Sequence, residues 1–243
     1  MELTSNTTGM NVGCTFWTDP EAVDHFIVVV KGTFDTDAHG VMGLSEQQRP
    51  LVYADEHYGD PETTAIRFEN DFAPAKPQGE IVVVGKAVSP LAKPSVRVDV
   101  RLEMDGRAKD IAVMGDRHWV KRWSGLAASD PIPFTEMPLT FARAFGGQDD
   151  TKGVGNVAVE HRNLVGSGFH PYRQPDEVQG KPLPNLERPD ELIRSSRDRP
   201  APIGVGVLGR AWQQRAAYAG TYDQSWLDEV CPFLPADFDL RHF

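Results

Sequence analysis

Ser95-Val96-Arg97-Val98-Asp99-Val100-Arg101-Leu102-Glu103-Met104-Asp105-Gly106 is the stretch that decides the fold class. Val96, Val98, Val100, Leu102 and Met104 fall on one side, with Arg97, Asp99, Arg101 and Glu103 on the other. Side chains alternate across a strand, so this period of two marks a strand with one buried face. Asp105-Gly106 follows, two residues that reach positive φ at low cost, and a second apolar stretch runs from Ile111 to Met114. An antiparallel hairpin closed by a tight turn is predicted.

Upstream, His25–Phe34 carries Phe26-Ile27-Val28-Val29-Val30, and Glu80–Ser89 carries Ile81-Val82-Val83-Val84. Both runs are β-branched and strand-length, and both are expected as buried strands. Downstream, Arg117–Trp123 is a further strand candidate, with Trp119 as a large core aromatic. Beyond it the character changes. Residues 123–243 hold 12 Pro and 12 Gly, against 7 and 10 in the first 122, so regular elements there are expected to be short and turns frequent. Near the end, Asp223 can cap a helix over Gln224–Val230 that Pro232 closes, with Trp226 and Val230 facing the body. The expected fold is mainly β: an antiparallel sandwich-like core with a loop-rich Pro/Gly-containing C-terminal half and a short C-terminal helix. One domain is expected over 1–243, with a β-rich core at about 12–122 and a loop-rich wrap at about 123–243.

The 243 residues include 25 bases and 35 acids, a net charge of −10, and its placement is uneven. Residues 1–80 hold 14 acids and 4 bases, whereas residues 81–243 hold 21 of each. An acidic balance without a basic block repels phosphate backbones, which argues against a nucleic-acid partner. No apolar run approaches the ~18 residues of a membrane span, so membrane insertion is not expected. Cys14 and Cys231 are too few and too far apart for a disulfide framework or zinc knuckle, and both read as small packing residues. Met-Glu-Leu-Thr-Ser-Asn lacks the basic and apolar regions of a signal peptide, and a cytoplasmic location is the expectation.

Several motifs resemble catalytic ones without their context. Gly204-Val-Gly206-Val-Leu-Gly209 has dinucleotide-binding spacing, but Pro200 and Pro202 stand where the preceding strand should run, so it reads as a glycine turn. Asp55-Glu56-His57 and Glu160-His161 with His170 are the best metal clusters, yet no pair has the spacing of a helix-borne ligand set. Ser167 lies between glycines without a strand-to-helix elbow. No catalytic residue, metal or cofactor is assigned.

Four stiff words do stand out: Phe145-Gly146-Gly147-Gln148-Asp149, Asn163-Leu-Val-Gly166-Ser-Gly168-Phe169, Leu183-Pro184-Asn185-Leu186-Glu187, and Ala219-Gly220-Thr221-Tyr222-Asp223-Gln-Ser-Trp226. Each joins a residue tolerant of unusual backbone angles to an aromatic or apolar anchor, which pins an irregular segment. The candidate partner-binding or structural residues are thus Phe145, Gly146, Gly147, Asp149, Asn163, Gly166, Gly168, Asn185, Tyr222, Asp223 and Trp226.

In this order, and together with Asp71-Phe72-x-Pro74-x-Lys76-Pro77, Gly115-Asp116-Arg117-x-Trp119, Met137-Pro138-Leu139 and Pro232-Phe233-Leu234-Pro235-x-Asp237-Phe238-Asp239, the words resemble the domain-of-unknown-function 2169 family of type VI secretion adaptors. The resemblance covers nearly the whole chain, and Ala219–Asp239 is its most specific piece. It implies a cytoplasmic, non-enzymatic accessory protein whose partners are a secreted effector and the spike protein of the secretion machine. Family members commonly run on past the Asp-Phe-Asp segment, so Phe243 is expected to end either a short member or a truncated chain. Two other classes remain as alternatives. One is a metal-assisted hydrolase using His161, His170 and nearby acids; the other is a β-sandwich carbohydrate-binding module with exposed tryptophans. Burial of the five tryptophans and the placement of the histidines separate them.

Overall fold

The computed structural model describes residues 4–19, 21–61, 63–123, 125–153 and 155–243. The chain forms a mainly β structure of small sheets and short helices, divided into two compact units. The first comprises Met1–Glu56, Phe68–Gly79 and Arg215–Phe243; the second comprises His57–Arg67 and Glu80–Gln214. Their boundaries fall at 56/57, 67/68, 79/80 and 214/215, none of them at the composition step near residue 122.

In the first unit, β1 (Asn11–Thr18) pairs antiparallel with β2 (Asp24–Lys31) in the register Asn11↔Lys31 to Thr18↔Asp24. β3 (Phe34–Thr36) and β4 (Met42–Leu44) form a second small hairpin. The run at Phe26–Val30 is a strand, as expected, but not a buried one: Phe26, Val28 and Val30 are exposed while Ile27 and Val29 are half-buried. A sheet of two strands is covered on one side only, so a run apolar on both faces leaves one face outside. Few described side chains of this unit are fully buried: Val52 and Pro235 among the apolar ones, Arg215 among the charged. Where the chain first leaves this unit, β5 (Glu56–His57) pairs with β6 (Ile66–Phe68).

The second unit holds the main core. β7 (Lys86–Val88), β8 (Arg97–Met104), β9 (Arg107–Met114), β10 (Trp119–Arg122), β11 (Gly125–Ala128) and β12 (Glu136–Pro138) come first. Short pieces follow: β13 (Phe145–Gly146), β14 (Gln148–Asp149), β15 (Ala158–Val159), β16 (Ser167–Gly168), helix α1 (Pro175–Val178) and β17 (Leu186–Glu187). β8 and β9 form the predicted hairpin, with Met104 opposite Arg107 and both turn residues at positive φ, Asp105 at 49° and Gly106 at 71°. Val98, Val100 and Leu102 pack on the core; Val96 and Met104 at the ends of the stripe are exposed. β17 joins the other side of β9 to make a three-stranded sheet. β7 pairs antiparallel with β12, and β13 runs parallel to β16.

The strand expected over Ile81–Val84 is absent. That stretch is irregular and largely exposed, and pairing begins only at Lys86. β-branched composition favours a strand only where a partner edge exists, and the partner, β12, reaches no further than Lys86–Val88. Trp119 is buried, as expected. Eight of the eleven buried residues in the larger core cluster, Met137 to Trp212, come from beyond residue 122, so the irregular half is itself core-forming. Helix α2 (Gln213–Ala216) precedes the short C-terminal helix α3 (Gln224–Glu229), which lies in the first unit. The amide of Trp226 donates to Asp223 Oδ1 at 2.9 Å, the cap expected from the sequence. No described helix is long and apolar enough to cross a membrane.

Candidate functional site

Three of the four words converge inside the second unit around Asn163, which is fully buried. Its side-chain amide donates to the carbonyls of Phe141 at 2.8 Å and Phe145 at 2.9 Å, while its own carbonyl accepts from the Gly147 amide at 2.9 Å. The glycines exist for this approach. A Cβ on Gly146 would lie 2.3 Å from the Asn163 carbonyl oxygen, and one on Gly147 would lie 2.5 Å from that of Gly166. Phe145, 1 % exposed, anchors the loop in the smaller core cluster beside Trp119, and Gly168 passes close to Pro184. Asn185 ties the third word to β9, donating to the Met114 carbonyl at 3.1 Å and to Asp116 at 2.9 Å. Two residues further, Glu187 forms a buried ion pair with Arg117 and accepts from the Ile193 amide at 2.8 Å.

Asp149, 1 % exposed, is the most buried carboxylate of the words. Burial pushes its carboxyl up, but hydrogen bonds from the hydroxyl and amide of Thr151 and the amide of Tyr172, with the charge of Arg173, outweigh this and hold it below the usual range. His170 lies in the same field. Burial lowers its pKa, the charge of Asp149 opposes that, and Arg173, Lys181 and Arg199 lower it further. Asp149 is thus spent on holding the loops at Thr151 and Tyr172, whereas the buried Nε2 of His170 has no hydrogen-bond partner among the described residues.

The fourth word lies in the first unit, apart from the others in the chain's division. Tyr222 and Trp226 meet edge to face at 4.7 Å, and the indole Nε1 donates to the Phe233 carbonyl at 2.9 Å. Trp226 is half-buried and Tyr222 exposed. Gly220 sits at φ 80° against Asp237, whose carboxylate accepts from the amide and hydroxyl of Thr221 at 2.9 and 2.8 Å. Ala219–Trp226 is therefore folded onto Pro235–Asp237. Cys231, expected as a packing residue, is exposed because the turn after α3 places it outward; Cys14 is half-buried.

Among the described residues, no group of three or more His, Cys, Asp or Glu side chains is arranged to hold a metal ion. Of the tryptophans, Trp119 and Trp212 are in the core, Trp17 and Trp226 are half-buried and Trp123 is wholly exposed.

The most distinctive surface contains the Phe26–Val30 run, expected from the sequence as a buried strand. In the β1–β2 ribbon, Val12↔Val30, Cys14↔Val28 and Phe16↔Phe26 are directly opposed and share one face. Phe16, Phe26, Val28 and Val30 on it are 58, 46, 51 and 54 % exposed, and the two phenylalanine rings touch at 5.2 Å. The opposite face is covered: a Cβ on Gly13 would meet Leu51 at 2.6 Å and Phe72 at 2.8 Å. On the open side a Cβ on Gly32, two residues past Val30, would meet Phe34 and Met10, so the apolar surface continues into the β3–β4 hairpin. Phe34, Met42 and Leu44 there are exposed too. The usable sequence signal is the alternation Val12-x-Cys14-x-Phe16, apolar on the outward parity where an ordinary half-buried strand would be polar. Beside the covered face runs a cleft of about 350 Å³ lined by Trp17, Ile27, Tyr53, Phe72 and Pro74.

Comparison with known proteins gives one match: a bacterial family described as "Uncharacterized protein conserved in bacteria (DUF2169)" aligns with residues 21–243. No curated protein and no solved structure matches the chain. The chain belongs to the DUF2169 family.

Proposed function

We propose that this DUF2169 member is a non-catalytic adaptor that holds a secreted effector protein in the bacterial cytoplasm and helps load it onto the spike of a type VI secretion machine. The observation that carries the reading is the exposed apolar face of β1–β2, continued by Phe34 and Met42. Contiguous apolar surface of this kind marks a protein-interaction site, because leaving it in water costs roughly 25 cal/mol per Å². The resemblance of the chain's motifs to secretion adaptors supports the same conclusion.

The test is recovery of the tagged full-length chain from its native host, followed by mass spectrometry. One effector and the spike protein are expected in the eluate, and loss of the gene is expected to abolish secretion of that effector alone. An eluate without either protein, with effector secretion intact in the deletion strain, would overturn the reading.

A further inference from the structure

The two units differ sharply in charge. The first carries 16 acids and 5 bases, net −11, whereas the second carries 19 acids and 20 bases, net +1. The five bases of the first unit are engaged within it. Lys31 pairs with Asp71 at 2.7 Å, Lys76 and Arg215 both pair with Glu69, Arg241 pairs with Asp239, and Arg49 lies over the Phe68 ring. The acids next to the apolar face lack a cationic partner, although Asp24 accepts from the Thr18 hydroxyl at 2.7 Å and Asp37 from the amides of His39 and Val41 at 2.8 and 2.9 Å. Asp24 sits on the outward parity at the end of β2, Asp35 and Asp37 lie along the β3–β4 hairpin, and Glu46 follows it. All four are exposed, and none makes an ion pair among the described residues.

We infer that the β1–β2 face takes a segment of the effector that is apolar on one side and flanked by lysines or arginines. This rests on the adaptor reading above. The apolar contact supplies affinity, and the acids around it select the flanks and speed encounter. A second copy of this chain is a poor occupant, since two such faces would bring together two units of net −11. An anionic membrane is a poor one for the same reason. The face also explains why the charge is confined to this unit, for a solubility role would be served by spreading it over both.

The experiment places a photo-crosslinking phenylalanine analogue at position 26 of the full-length chain in the native host and sequences the crosslinked peptide. The expected product joins position 26 to an effector segment with apolar residues between Lys or Arg flanks. A synthetic peptide of that segment is expected to bind the purified chain about tenfold more weakly when its basic residues are replaced by glutamine, and to lose a similar factor from low to high salt. Val28→Lys is expected to weaken it comparably with an unchanged melting temperature; if that variant melts early, Val30→Lys serves in its place.

Crosslinking to a second copy, to an acidic segment or to anionic vesicles, or a binding constant indifferent to salt, overturns the inference. An effector that co-purifies but never crosslinks from position 26 overturns this surface and leaves the adaptor reading standing. An eluate without effector or spike protein, with effector secretion intact in the deletion strain, overturns the adaptor reading itself.

Discussion

Gly146 shows how little freedom a single backbone position can have. With φ at 153° and the Asn163 carbonyl where a methyl group would stand, Gly146→Ala must displace the loop that carries Asn163. The expected loss is about 3 kcal/mol or more, measured by urea unfolding. Phe145→Ala should cost a similar ~3–5 kcal/mol, as a fully buried aromatic. Trp226 is different. Half-buried against Tyr222, with one hydrogen bond to Phe233, it should cost only about 2 kcal/mol as Trp226→Ala, and Asp223→Ala about 1 kcal/mol through the lost cap. Both variants should remain folded by circular dichroism; unfolding of either would show that Ala219–Trp226 bears more of the unit than its burial indicates. The words were legible as stiff segments because Gly-Gly beside an aromatic has few other uses. Their convergence on Asn163 was not, since nothing in a linear spacing says that Phe141, Phe145 and Gly147 will surround one amide.

The β8–β9 hairpin was readable from residues alone because a period of two and a turn dipeptide agree, and each constrains the other. Ile81–Val84 had composition without that second constraint, and composition cannot supply a neighbouring edge. The same limit hid the open face of β2, where Ile27 and Val29 made both sides look interior. The sheet β8–β9–β17 carries a device that only the fold reveals: the buried pair of Arg117, just past β9, with Glu187 of β17. Glu187→Gln leaves a buried guanidinium unpaired and should cost ~3–5 kcal/mol, whereas Arg117→Met with Glu187→Leu should recover most of that loss in the same unfolding assay. The loops after β13 add a pH dependence. Asp149 is held below the usual carboxylate range, and so is Glu160, chiefly through hydrogen bonds from Arg162 at 2.7 and 2.8 Å. A depressed folded pKa stabilises above the ordinary carboxylate pKa, and the contribution is lost as pH falls through that range. Asp149→Asn should therefore flatten the decline in unfolding midpoint as pH falls from about 5 through the lowered range of this carboxyl; an unchanged slope would show that this carboxylate binds its proton alike in both states.

At the scale of the molecule, the imbalance between a unit of net −11 and one near neutrality separates their responses to salt. Like-charge repulsion should weaken the first unit at low ionic strength, so added salt is expected to slow hydrogen exchange in β1 and β2 while leaving β8 and β9 nearly unchanged. Equal slowing in both would point to a general solvent effect instead. The discontinuous make-up of the first unit also has an outcome in time. Residues 1–56 leave the ribosome early, but the segment from Arg215 onward, which supplies a second partner for Glu69 and the ring of Phe243 against Trp17, is translated only after 158 intervening residues. At ~5–20 residues per second that interval lasts roughly 8–30 s. For that time the nascent ribbon stands with its apolar side bare and its own unit incomplete, open to any apolar segment nearby before synthesis has finished.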